Sequence, residues 1–140
     1  LKSLRMSKQD IKDEFKQSEG SPEIKSKLRQ IRMERARKRM MAAVPTADVV
    51  ITNPTHFAVA LVYDTRKHPA PVLVAKGQDN IALTIRKLAE AHDVPVVQNP
   101  PLARALYETT ELDEQIPESH FKAVAEVIAY VYKLRRKYAG

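Results

Sequence analysis

Asn53 and Pro54, followed by Thr55 and His56, are the residues whose types and spacing suit them to chemistry. They lie in "VVITNPTHFAVALV", residues 49–62, between two apolar runs. An asparagine side-chain amide can attack a carbonyl carbon and close a five-membered ring. Usually the next backbone nitrogen attacks the asparagine side chain first, and deamidation follows. Proline has no N–H, so that route is closed here. What remains is attack by the Asn53 side-chain nitrogen on its own backbone carbonyl, forming a succinimide and expelling Pro54 as a secondary amine. Nucleophile and electrophile then belong to one residue, and the chain is cut between 53 and 54. The amide is a weak nucleophile and resonance protects the carbonyl. The fold must therefore hold the near-attack geometry or stabilise the developing oxyanion. His56 is placed to polarise the carbonyl or relay a proton, and Thr55 to hold the turn through its side chain. The plain alternative is an inert Asn-Pro turn between two strands.

Little else in the chain offers chemistry. There is no cysteine, which excludes disulfides, thiolate metal sites and a cysteine nucleophile. The histidines at 56, 68, 92 and 120 lack metal-binding spacing, so no metal is expected. Glycine occurs only at 20, 77 and 140, which leaves no phosphate loop or dinucleotide fingerprint and no cofactor to expect.

The elements that must position the turn follow from the apolar pattern. "ADVVIT" (47–52), "FAVALVY" (57–63), "VLVAKG" (72–77) and "VPVVQ" (94–98) read as strands, the second so continuously apolar that a central place is expected. Helices are predicted over 79–92, with Ile81, Ile85, Leu88 and Ala89 at core spacing, and after Pro100-Pro101 in "LARALYETT". A long helix over 117–137 places Phe121, Val124, Val127, Ile128, Val131 and Leu134 on one side. The expected fold is α/β, a small, mostly four-stranded mixed sheet covered by about four helices.

A basic helical linker precedes it. Residues 1–44 hold 13 Lys/Arg against 6 Asp/Glu, whereas residues 45–140 hold 11 of each. All of the formal +7 therefore sits in the first third of the chain, which suggests an acidic partner, nucleic acid or anionic lipid headgroups. Ser7 and Asp10 resemble a capping box opening a helix that Gly20 stops. Ser21-Pro22 then starts a second helix. Ile24, Leu28 and Ile31 form one apolar stripe, and Met33, Ala36, Met40 and Val44 a second, weaker one. That helix is expected to be exposed at its start and docked near its end, with the first half of the arm mobile. The division expected is 1–44 as linker and 45–140 as globular domain. No apolar run is long enough to span a bilayer, and the start at Leu1 rather than Met leads us to expect a piece of a longer protein.

Three segments carry a resemblance to a known family. "ITNPTHFAVALVYD" resembles the NPTH cleavage segment of the FlhB/YscU family, the specificity-switch components of flagellar and type III secretion export machines. "MSKQDIKDEFKQSEGSPEIKSKLRQIR" is similar to the family's linker after its transmembrane helices, closer to the flagellar branch. "PPLARALYETTELDEQIPE" is similar to its Pro-x-Leu-Ala-Arg-x-Leu-Tyr segment. The resemblance implies the cytoplasmic side of a bacterial inner-membrane protein, cleaved once between Asn53 and Pro54, with Thr55 and His56 completing the motif. It implies single-turnover self-cleavage rather than an enzyme, and both pieces staying together. Its implied partners are export-gate membrane proteins, export substrates or chaperones, and a hook-length ruler protein. Residues 1–44 would lie near an anionic membrane surface.

The rival is a basic adaptor or nucleic-acid-binding domain with an inert turn. The stretch "RQIRMERARKRM" (29–40) has no aromatic interleaved among its cations, and Glu34 and Lys38 form an ordinary i,i+4 pair. A solvated or membrane-proximal helix is the better fit, and no nucleic acid is expected.

Overall fold

The computed structural model describes residues 20–54 and 56–139. The helix expected before Gly20, and the mobility expected there, lie outside the described residues. The chain divides into two units, residues 1–38 and 39–140. Helix α1, Pro22–Ala43, opens as its sequence requires: the Ser21 hydroxyl accepts the Ile24 N–H at 3.3 Å, and Pro22 fills the first helical position. Ile24, Ile31 and Met33 are exposed, whereas Met40 and Val44 are buried. A 3-10 turn, Val44–Thr46, links α1 to the sheet.

The sheet has five strands in the order β4-β1-β2-β3-β5. Strand β1 (Val49–Asn53) pairs antiparallel with β2 (Phe57–Val62) and parallel with β4 (Val96–Gln98). Strand β3 (Val72–Gln78) lies antiparallel to β2, and a bulge between Ala60 and Leu61 shifts the register. Strand β2 is central because its residues must satisfy a core on both faces. Val59 and Leu61 face one helix layer, and Ala58 and Ala60 face the other.

Helix α2 (Asn80–Ala91) covers the second of these faces through Ala82, Ile85 and Ala89, joined by Met40 and Val44. On the opposite face, α3 (Pro100–Thr109) contributes Leu102, Ala103 and Leu106. Beside it, α4 (Phe121–Ala139) contributes Val124, Val127, Ile128 and Val131. Pro100 and Pro101 occupy the first turn of α3, and the Asn99 side chain accepts the Leu102 N–H at 3.3 Å.

Three details differ from the sequence reading. A fifth strand, β5 (Glu114–Gln115), pairs with Val72 and Leu73; two exposed charged or polar residues carry no apolar alternation to announce it. The last helix is preceded by a 3-10 turn, Glu118–His120, and starts at Phe121. Phe121 itself is 40% exposed, because it lies beside an open groove instead of under the sheet.

The β3–α2 junction is tight. A Cβ on Gly77 would stand 2.9 Å from Ile81 Cβ and 3.1 Å from the Ala82 nitrogen. Gly77→Ala is expected to destabilise the fold by about 1–3 kcal/mol through overpacking. A lower urea midpoint at unchanged slope would show it, and a wild-type midpoint would mean that α2 yields freely.

Candidate functional site: the Asn53-Pro54 hairpin

The sheet places the Asn-Pro bond at a hairpin tip. Asn53 is the last residue of β1 and pairs with Phe57, the first of β2, so the connection is three residues rather than four. Apolar flanks set this register: a slip by one would carry Val49 and Ile51 out of one core face and Val50 out of the other.

The His56 N–H donates to the Asn53 carbonyl oxygen at 3.1 Å. That oxygen belongs to the carbonyl a cyclising Asn53 would attack. A donor at this distance polarises the carbonyl and would stabilise the negative charge that gathers on it. The sequence reading looked to the His56 ring to polarise this carbonyl; the hydrogen-bond donor on it in the structure is the main-chain N–H of the same residue. Asn53 is half-buried, and Pro54 and His56 are exposed. Thr55 lies outside the described residues.

Both sides of the tip are braced. On the β1 side, Thr52 is 2% exposed and its carbonyl accepts the Asn99 N–H at 3.0 Å, which ties the strand to the start of α3. On the β2 side, the His56 carbonyl accepts the Asp79 N–H at 3.0 Å, one step past the last β2–β3 pair. Asp79 was not singled out from the sequence. Its backbone has φ 54° and ψ −116°, a conformation costing on the order of 1–3 kcal/mol for a residue with a Cβ. Asp79 Oδ1 also stands 4.0 Å from His56 Nδ1. Only the β2–β3 register could have signalled it, by placing residue 79 opposite residue 56.

Phe57 extends the support inward. Its ring packs 4.9 Å from that of Tyr107, whose hydroxyl donates to Gln78 Oε1 at 3.2 Å. Lys76 Nζ donates to the Tyr107 carbonyl at 3.1 Å and pairs with Glu111 at 3.8 Å. Among the described residues no group of three His, Cys, Asp or Glu could hold a metal ion.

A second feature lies away from the hairpin. An apolar groove of about 280 Å³ runs between the β2–β3 loop, at Tyr63 and Pro69 to Pro71, and α4, at Phe121, Ala125, Ile128, Ala129 and Tyr132. The loop is folded on itself through Asp64. The Arg66 N–H, and then the Arg66 charge, hold the Asp64 carboxyl below its usual value.

The fold and this hairpin define a class: small α/β domains with a five-stranded mixed sheet, of the kind solved for FlhB and EscU C-terminal domains. One such structure, the cytoplasmic domain of FlhB from Shewanella putrefaciens, is 51% identical with a TM-score of 0.72, over 74% of this chain and 80% of that one. Another, an EscU C-terminal domain carrying an asparagine-to-alanine substitution, is 36% identical with a TM-score of 0.63, over 66% of this chain and 92% of that one.

The profile of the FlhB HrpN YscU SpaS family matches residues 1–131, and the chain belongs to that family. Flagellar biosynthetic protein FlhB of Bacillus subtilis is 60% identical over 136 residues, which is 97% of this chain and 38% of that protein. The chain thus spans well under half the length of such relatives. Among the described residues no helix is long and apolar enough to cross a membrane.

Proposed function

We propose that this chain is the cytoplasmic part of a bacterial inner-membrane component of the flagellar protein-export gate, and that it cuts itself once at Asn53–Pro54 to change the class of exported substrate. The observation that carries the reading is the His56 N–H on the Asn53 carbonyl, 3.1 Å away, in a chain of this family. Asn53 Nδ2 bonds to the Asn53 carbonyl carbon and the bond to the Pro54 nitrogen breaks. One proton passes from Nδ2 to that nitrogen, so a succinimide and a secondary amine form without water. Water later opens the ring. Each molecule reacts once, so this is no turnover enzyme.

Residues 1–44 then act as a basic juxtamembrane linker drawn to anionic lipid, and 45–140 as the switch domain. Mass analysis of the purified domain under denaturing conditions tests the cleavage. Two pieces meeting between residues 53 and 54 are expected. A single intact chain, held on nucleic acid in a salt-dependent way, would favour the basic-adaptor reading instead.

The partners proposed are gate membrane proteins, export substrates or their chaperones, and a hook-length ruler. The groove on α4 suits a substrate segment. Its 280 Å³ accommodates one or two apolar side chains of an extended chain, and Phe121 and Tyr132 are 40% and 49% exposed beside it. Ala129→Glu is expected to weaken binding of an apolar export-substrate peptide at least about tenfold by placing a charge there. Fluorescence anisotropy reads the affinity, with cleavage unchanged; undiminished binding would remove the groove from this role.

A further inference from the structure

Asp79 has a side chain where a glycine would fit more easily. Glycine adopts a φ of 54° freely, yet the chain carries a carboxylate there. Asp79 precedes α2, but its side chain makes no capping hydrogen bond to that helix. Nor is its contact with His56 a stability device. The side chains are 63% and 68% exposed, and pairs in that setting contribute little. What remains is that Asp79 addresses one residue twice. Its N–H donates to the His56 carbonyl at 3.0 Å, and its carboxylate faces His56 Nδ1 at 4.0 Å. His56 in turn donates its own N–H to the Asn53 carbonyl.

We infer that Asp79 is a positioning residue for cleavage at Asn53–Pro54, holding the His56 main chain through its N–H and facing the His56 ring with its carboxylate; the inference rests on the self-cleavage reading. The main-chain bond fixes the donor that faces the attacked carbonyl. The carboxylate orients the imidazole that relays the proton from Asn53 Nδ2 to the departing Pro54 nitrogen, while the Nδ2–carbon bond forms and the carbon–Pro54 bond breaks. Asp79 touches none of the reacting atoms itself.

The test is a pulse-chase of chains made by cell-free synthesis, with uncut and cut species resolved on a denaturing gel. Asp79→Asn, which keeps the shape and tolerates positive φ, is expected to slow cleavage about fivefold, the scale on which neighbouring side chains couple. Asp79→Gly keeps the main-chain donor and relaxes the backbone, and should lose the same factor. In a His56→Ala chain, Asp79→Asn should cost nothing more, because Asp79 acts through His56. The urea midpoint, read in an uncut Asn53→Ala background, should not move with Asp79→Asn. Wild-type cleavage rates in both Asp79 variants would overturn the inference and leave self-cleavage standing. An equal slowing with and without the His56 ring would do the same. A wild-type chain that never cuts would overturn self-cleavage itself, and this inference with it.

Discussion

Asn53→Ala is expected to leave the chain whole: one mass near that of all 140 residues under denaturing conditions, where the wild type gives two. The substitution deletes the nucleophile and little else, because Asn53 closes the β1–β2 ladder through its backbone. The hydrogen bond from the His56 N–H to residue 53 also survives it, being main chain to main chain. Folding should persist with a near-wild-type urea midpoint. The size of the effect follows from the chemistry. Shortening a peptide-bond lifetime from about a year to about an hour is a change of ~10⁴, or ~5 kcal/mol of barrier. Holding the amide at near-attack geometry and polarising the carbonyl can supply that much. Alanine loses all of it. His56→Ala should only slow cleavage, since the main-chain donor remains when the ring is gone. Complete arrest in His56→Ala would transfer the main role from backbone to imidazole. An Asn53→Ala chain cut at the same bond would mean that some other group breaks it.

How far the residues announced this arrangement varies with the kind of information required. Strands and helices were readable because burial writes a period into the sequence. Val49 and Ile51 go to one face and Val50 to the other, while Ile85 and Ala89 fall four apart on α2. The central place of β2 was readable for the same reason, as a strand with two cores has no polar side. β5 was not, since its Glu114 and Gln115 are exposed and only their backbones are paired. The Asn-Pro bond stood out because its chemistry is local to two residues. Asp79 did not, because its relation to His56 exists only after β2 and β3 pair. The backbone donor on the Asn53 carbonyl was hidden for a related reason. Every residue but proline owns an N–H, and only the three-residue tip directs this one back to the start of its own hairpin.

Leu61→Ala is expected to separate stability of the intact chain from cohesion of the cut one. Leu61 is fully buried, pairs with Val49 across the β1–β2 ladder, and belongs to the piece after the cut, while Val49 belongs to the piece before it. In an uncut Asn53→Ala background its loss should cost about 2–5 kcal/mol, the removed side chain plus the cavity left behind. The same loss in the cut protein falls on a bimolecular contact, where 1.4 kcal/mol is a factor of ten in affinity. For wild type, withdrawing the first piece means pulling β1 from between β4 and β2. That would expose Val49, Val50 and Ile51, each at most 1% exposed, at roughly 1.5–3 kcal/mol apiece. Cut wild-type protein should therefore elute as one species in native gel filtration, even on dilution. Cut Leu61→Ala should resolve into two at concentrations where its uncut counterpart stays folded, because only there does the weakened interior compete with translational freedom. If cut Leu61→Ala held together as tightly as wild type across a dilution series, the pieces would owe their cohesion to something other than this shared interior. If it separates as expected, the pieces are held by this shared interior, and the cut itself leaves the β1–β2 ladder in place.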